Sequence, residues 1–214
     1  KGINGCTITG VTIPALNGSD PEIPKGRNTD ISKDGLHLIS THVGHVEFSG
    51  HEFQVNPILD IEGNVNPSLG NINFLGDIHI HGDVCCGVSI RATGNIQVDG
   101  VIEACIIEAG KNIVVSSGIQ GQNSAIIKAH KSVYAKYLEN CKVYAKEDVY
   151  ADCIIGCNVY SNGSIKAITG RGAIIGGTIC SSKAVVANSV GSKTEKITSV
   201  LLGGLPCDDC ERRE

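Results

Sequence analysis

Apolar and polar positions alternate along most of this chain in short phrases of the form apolar-x-small-x-polar-x-apolar. They start at Ile72, Ile90, Ile107, Ile127, Val143, Val159 and Ile179, in steps of 18, 17, 20, 16, 16 and 20 residues. One copy reads Ile90, Ala92, Gly94, Ile96, Val98, and another Val143, Ala145, Glu147, Val149, Ala151. A period of two sends one row of side chains to one side of a strand and the intervening row to the other. No copy is long enough to bury its apolar row alone. The copies are therefore expected to stack as parallel strands about 4.8 Å apart, each covering its neighbour's row and together making a rod core of roughly 30 Å.

The predicted fold is all-β: a right-handed single-stranded parallel β-helix of about seven coils over residues 61–200, behind a small N-terminal β-rich module. Apolar anchors recur every six residues at Ile72, Ile78, Val84, Ile90, Ile96 and Ile102, a spacing that also suits a left-handed hexapeptide prism. Coil steps that vary from 16 to 20 residues fit a more tolerant cross-section, and right-handed crossover is the general preference of parallel strands. Residues 1–60 lack the register and hold most of the prolines. Two strand-like stretches there, 36–41 and 45–55, are punctuated by Gly44 and Gly50. This module is expected to cap the first coil, because an open strand edge invites polymerisation. Residues 201–214 read as a polar tail.

Composition narrows the function classes. The 214 residues are 41% apolar, with 27 Gly, 3 Phe, 5 Tyr and no Trp or Met, a balance that favours strands over helices. Residues 1–110 carry 5 basic and 13 acidic groups (−8) and residues 111–214 carry 13 and 9 (+4), which sum to −4. No concentrated basic patch with stacking aromatics exists, so nucleic acid is not an expected partner. No apolar run approaches the roughly 20 residues of a membrane span and no charged-then-apolar leader opens the chain, so a cytoplasmic protein without direct membrane insertion is expected. A chain that begins at Lys1 and lacks Met is expected to be a piece of something longer.

Chemistry-bearing residues are sparse. Cys105, Cys141 and Cys157 stand two residues before a repeat start, where other copies have Gly70, Val88, Ala125 and Gly177. That is a slot for small side chains, which a free buried thiol fills as a small hydrophobe. Cys141 and Cys157 lie on adjacent coils, close enough for a disulfide that cytosolic redox disfavours. Cys207 and Cys210 make one C-x-x-C, half of a tetrahedral zinc site. His79 and His81 alternate with Ile78 and Ile80 and should face outward, with Asp99 at a matching place on the next coil; these three are weak metal candidates. Gly170, Gly172, Gly176 and Gly177 have the wrong spacing for a dinucleotide fingerprint and read as coil corners. Tyr144 and Tyr160 share one outward place on successive coils, and Tyr134 and Tyr150 share another. Stacked in this way they stabilise the ladder and form a candidate protein-binding face. No nucleophile elbow, H-E-x-x-H or phosphate loop occurs, so no catalytic residue and no cofactor is expected.

An ordered series of stretches resembles the flagellar assembly protein A (FapA-like) family of bacterial cytoplasmic proteins. It runs through G-V-T-I-P-A (10–15, with a lead-in at Gly5), D-G-L-H-L-I (34–39), N-P-I-L-D-I-E-G-N-V (56–65) and G-N-I-N-F-L-G-D-I (70–78). G-I-Q-G (118–121), Y-A-K-Y-L-E-N-C (134–141), G-R-G-A-I-I-G-G (170–177) and V-G-S (190–192) complete it. The resemblance implies a right-handed β-helix behind a small N-terminal β domain. It also implies a non-enzymatic role linked to flagellar assembly or its polar placement, with further sequence on both sides of this core. It supplies no catalytic residues.

The expected function is a non-catalytic cytoplasmic scaffold whose partners are other proteins, with homo-oligomers possible. The alternatives are a self-polymerising bactofilin-like cytoskeletal β-helix and a metal-dependent β-helix enzyme using His79 and His81.

Overall fold

The computed structural model describes residues 2–19, 21–193 and 197–203. Within them there is no helix, and three antiparallel hairpins precede a parallel stack. The hairpins pair Gly5–Cys6 with Thr12–Ile13, Thr29–Ile31 with Leu38–Ser40, and His45–Ser49 with Glu52–Asn56. Val55 is their buried centre, and Phe48 and Phe53 face each other with ring centroids 4.7 Å apart. No residue of these hairpins joins the apolar core of the stack.

From Ile58 onward the chain winds into a parallel β-solenoid with three faces. Strands of the first face run in the order Ile58–Ile61, Asp77–Ile80, Ile96–Val98, then the starts of Ile113–Ala129, Val133–Ala145 and Val149–Ser161, then Ser164–Ala167 and Ala184–Ala187. The second face aligns Val65, Val84, Ile102, Ile119, Leu138, Ile154, Ile174 and Val190. The third aligns Ile72, Ile90, Ile107, Ile127, Val143, Val159, Ile179 and Val200. All seven repeat starts therefore fall on one ladder. Val200, in the strand Thr198–Leu202, adds an eighth rung and carries strand structure past residue 200. The six-residue spacing from Ile72 to Ile102 is the distance from one face to the next around an 18-residue coil.

Burial follows the alternation. Ile78, Ile80, Ile96 and Val98 are at most 1% exposed, while the residues between them face out. Each buried Ile or Val is worth about 1.5–3 kcal/mol of transfer free energy, so the column is the main source of cohesion.

Polar side chains hold the corner before the first face. Asp77 Oδ1 accepts from the backbone N–H of Asn95 (2.6 Å), Asn95 Oδ1 from that of Asn112 (3.2 Å), and Asn112 Oδ1 from that of Ser132 (3.1 Å). Ser132 Oγ then accepts from the Asp148 N–H (3.3 Å), and Asp148 Oδ1 from that of Ser164 (2.7 Å). At a corner the strand ladder lapses, so these side chains satisfy amides that would otherwise be buried without partners.

Asp148 gives this corner a pH dependence. The Ser164 amide holds its carboxyl below the ordinary 3.8, with burial opposing it and the Tyr150 hydroxyl and the Lys166 ammonium reinforcing it. A depressed folded pKa contributes stability that is present above the unfolded value and disappears as pH falls through the folded one. Asp148→Asn keeps an oxygen for the Ser164 amide while removing the charge. It is expected to be less stable than the parent at neutral pH, and the gap should close as pH falls through the folded pKa of Asp148. Urea unfolding at neutral and at acid pH checks this, and a gap that does not narrow in acid would contradict it.

Candidate functional site

Four side chains from three successive coils meet at the N-terminal end of the first face. Asp60 and His79 are direct strand partners, and His79 is in turn paired with Gln97. The same pleat brings out His81 and Asp99 one step further along. His79 Nε2 lies 3.0 Å from Asp99 Oδ2, and His81 Nδ1 lies 3.3 Å from the same oxygen. On the opposite side His81 Nε2 is 2.9 Å and His79 Nδ1 3.5 Å from Asp60 Oδ1. The imidazole centroids are 4.0 Å apart. Exposure runs from 26% at His79 to 62% at Asp60, so the group is open to solvent on one side.

The electrostatics follow from this box. The hydrogen bond to Asp60 raises the His81 pKa above 6.5, with burial opposing it and the Asp60 charge and Asp99 reinforcing it. Asp99 is lowered from 3.8, first by its hydrogen bond with Gln97 and then by His79. The sequence brought out His79, His81 and Asp99; Asp60 was missed because it lies on the half-built first coil, ahead of the first repeat start. Its signal was the spacing of 19 residues to His79, within the range of the coil steps.

The tyrosine ladders form as the register requires. Tyr134 and Tyr150 stack at 4.9 Å and 2°, and Tyr144 and Tyr160 at 5.2 Å and 10°. Their exposure departs from expectation. Tyr144 is only 6% exposed although it points outward, because its ring is sandwiched between Tyr160 and the Lys128 ammonium, 5.6 Å from its centroid. Tyr134 is 39% exposed. Tyr150 carries the Lys166 ammonium 4.9 Å from its ring centre and donates its hydroxyl to Asp148. Of the four stacked tyrosines Tyr134 is the most exposed, Tyr150 and Tyr160 are half-buried, and Tyr144 is covered.

The thiols of the small-residue slot are buried: Cys105, Cys141 and Cys157 are all at most 3% exposed. Cys141 and Cys157 are free, with sulfurs 3.4 Å apart. Burial pushes the Cys105 thiol up to about 12, and the Cys157 sulfur together with burial pushes Cys141 upward as well. Neither is a reactive thiolate at neutral pH. Gly170, Gly172, Gly176 and Gly177 all have positive φ, as coil corners require. Cys207 and Cys210 lie outside the described residues. Among the described residues no helix is long and apolar enough to cross a membrane.

Comparison with known proteins adds the family. Residues 57–214 match the Flagellar Assembly Protein A beta solenoid domain, and residues 1–51 match the Flagellar Assembly Protein A N-terminal region. Neither the curated proteins nor the solved structures give a match. The solenoid match begins at residue 57, one residue before the first parallel rung at Ile58, whereas the N-terminal match ends at residue 51, in the turn of the last hairpin. The chain belongs to the Flagellar Assembly Protein A family.

Proposed function

We propose that this chain is a non-catalytic cytoplasmic scaffold that docks other proteins during flagellar assembly or its polar placement. Family membership supports the flagellar link. The observation that carries the docking role is the Tyr134 and Tyr150 stack. It is a flat aromatic pair, still partly open to solvent, on a continuous parallel sheet that cannot flex without breaking its rungs. Tyrosine offers large, rigid, amphipathic contact area and is enriched at interfaces. Rigidity supports the same role: a solenoid with one unbroken apolar column holds partners at fixed spacing.

Affinity capture with the immobilised chain from a flagellated bacterium tests the reading. Replacing Tyr134 and Tyr150 by Ser should abolish capture of specific partners while circular dichroism stays that of a β-solenoid. Unchanged capture would remove the aromatic pair from the account.

A polymerising, bactofilin-like reading draws on the last rung, where Val200, Leu201 and Leu202 are 40%, 52% and 63% exposed. Sedimentation over a range of concentrations separates the two. Discrete small particles fit the scaffold, and open-ended growth fits the filament.

A further inference from the structure

We propose that Asp60, His79 and His81 form a binding site for a divalent transition cation of the zinc class, with Asp99 as the residue that positions both imidazoles. The donor set comes first. Two imidazoles and one carboxylate are a common three-ligand set for Zn²⁺, Co²⁺ or Ni²⁺, whereas Ca²⁺ and Mg²⁺ require shells of oxygen.

Spacing comes second. A tetrahedral site with bonds of about 2.0–2.1 Å places its donor atoms roughly 3.3 Å apart. Asp60 Oδ1 lies 2.9 Å from His81 Nε2 and 3.5 Å from His79 Nδ1, and the three donor atoms all fall within 4.8 Å of one another. The two separations to Asp60 are each within about 0.4 Å of the tetrahedral value.

The orientation of the rings is the third and most specific observation. A metal-bound imidazole characteristically gives its other ring N–H to a carboxylate, which fixes the tautomer and aims the lone pair at the ion. Here one oxygen, Asp99 Oδ2, faces the distal nitrogen of both rings, Nε2 of His79 at 3.0 Å and Nδ1 of His81 at 3.3 Å. With both distal nitrogens protonated towards Asp99, both proximal nitrogens present lone pairs on the Asp60 side. The backbone holds this arrangement because Asp60 and His79 are paired partners and Asp99 stands at the next coil's end of the same face.

With the imidazoles neutral, as ligation requires, the two carboxylates carry a charge of −2 that a divalent cation neutralises. The half-exposed side of Asp60 leaves the fourth position to water or to a side chain of a docked protein. This cation site does not depend on the tyrosine pair, which lies further along the same face.

The test uses the full chain under reducing conditions, with Co²⁺ as a visible probe and Zn²⁺ in titration calorimetry. One equivalent of Co²⁺ is expected, with visible bands of four-coordinate intensity and without the near-ultraviolet charge transfer that thiolates produce. His79→Ala and His81→Ala should each lose that equivalent. Asp99→Asn should keep the stoichiometry and bind about 10–100-fold more weakly. Cys207→Ser with Cys210→Ser should bind as the parent does. Circular dichroism on each variant separates loss of the site from loss of the fold. The proposal is overturned if the parent takes up no stoichiometric Co²⁺ or Zn²⁺, if uptake survives the double replacement of His79 and His81 by Ala, or if the bound Co²⁺ shows thiolate bands.

Discussion

Gly177→Ala is expected to lower stability by about 2–5 kcal/mol, a large fraction of the roughly 5–15 kcal/mol that holds a typical folded protein together. Two costs add. Gly177 has φ of +85°, where an L side chain pays roughly 1–2 kcal/mol. A Cβ built there would also stand 2.1 Å from the carbonyl oxygen of Cys157 on the coil below and 2.8 Å from that residue's nitrogen. Backbone held in a parallel ladder has no room to retreat, so this overlap adds about 1–3 kcal/mol. Gly87→Ala separates the two costs, since it has φ of +82° but nothing within 4 Å of its Cβ. It should lose only the conformational part. Gly94→Ala supplies the converse: no positive φ, but a Cβ 1.9 Å from Asp77 Oδ1, the acceptor of the corner hydrogen bond.

Denaturant midpoints rank the three variants, and hydrogen exchange locates the damage. In a stack where each coil touches only its neighbours, the loss of protection for Gly177→Ala should centre on the strands Val149–Ser161 and Ala173–Ser181. Equal midpoints for Gly87→Ala and Gly177→Ala would mean that the close approach to Cys157 does not exist.

The parts of this molecule that could be read from its sequence are those where every rung is fully buried. From Ile90 to Ile179 each rung of the third face has a strand neighbour on both sides and is fully buried, so selection for apolar side chains acts on every inward position and the period of two shows; Ile72, half-buried at the end of that ladder, is legible because it keeps the same phase. Among the described residues, the end rungs have one strand neighbour each. The inward Leu59 and Ile61 are only half-buried and Val200 is 40% exposed, the alternation loses its contrast, and the rungs at 58–61 and 198–202 do not stand out in the repeat pattern. Asp60 was lost with the first of them. The corner ladder was hidden for another reason: Asp77, Asn95, Asn112, Ser132 and Asp148 share a role as acceptors but no single residue type. Only the glycine just before some of the donors, such as Gly94 and Gly163, hints that a side chain from the coil below occupies that space. Tyr144 was misjudged because alternation assigns a side of the strand, while exposure depends on what stands beside it along the ladder, here Lys128 and Tyr160.

Leu138→Ala tests the column at its centre and should cost about 2–5 kcal/mol, the range for deleting a buried leucine whose surroundings cannot collapse. Leu138 is fully buried, between Ile119 on one coil and Ile154 on the next, and both of those are fully buried as well. Hydrogen-bonded rungs fix the coil spacing, so the coils cannot slide together to fill the void. Part of the range beyond simple transfer is therefore expected as a cavity cost. Val190→Ala is the matched control at the end of the same face. Its side chain is already 54% exposed, and its replacement should stay within about 0.5 kcal/mol. A steep fall from centre to end is the signature of one continuous column, because each inner rung is covered on both sides and the last on one. Equal losses at Leu138 and Val190 would instead mean that the coils do not bury one another, and with that the rigidity on which a fixed spacing of docked partners depends would be gone.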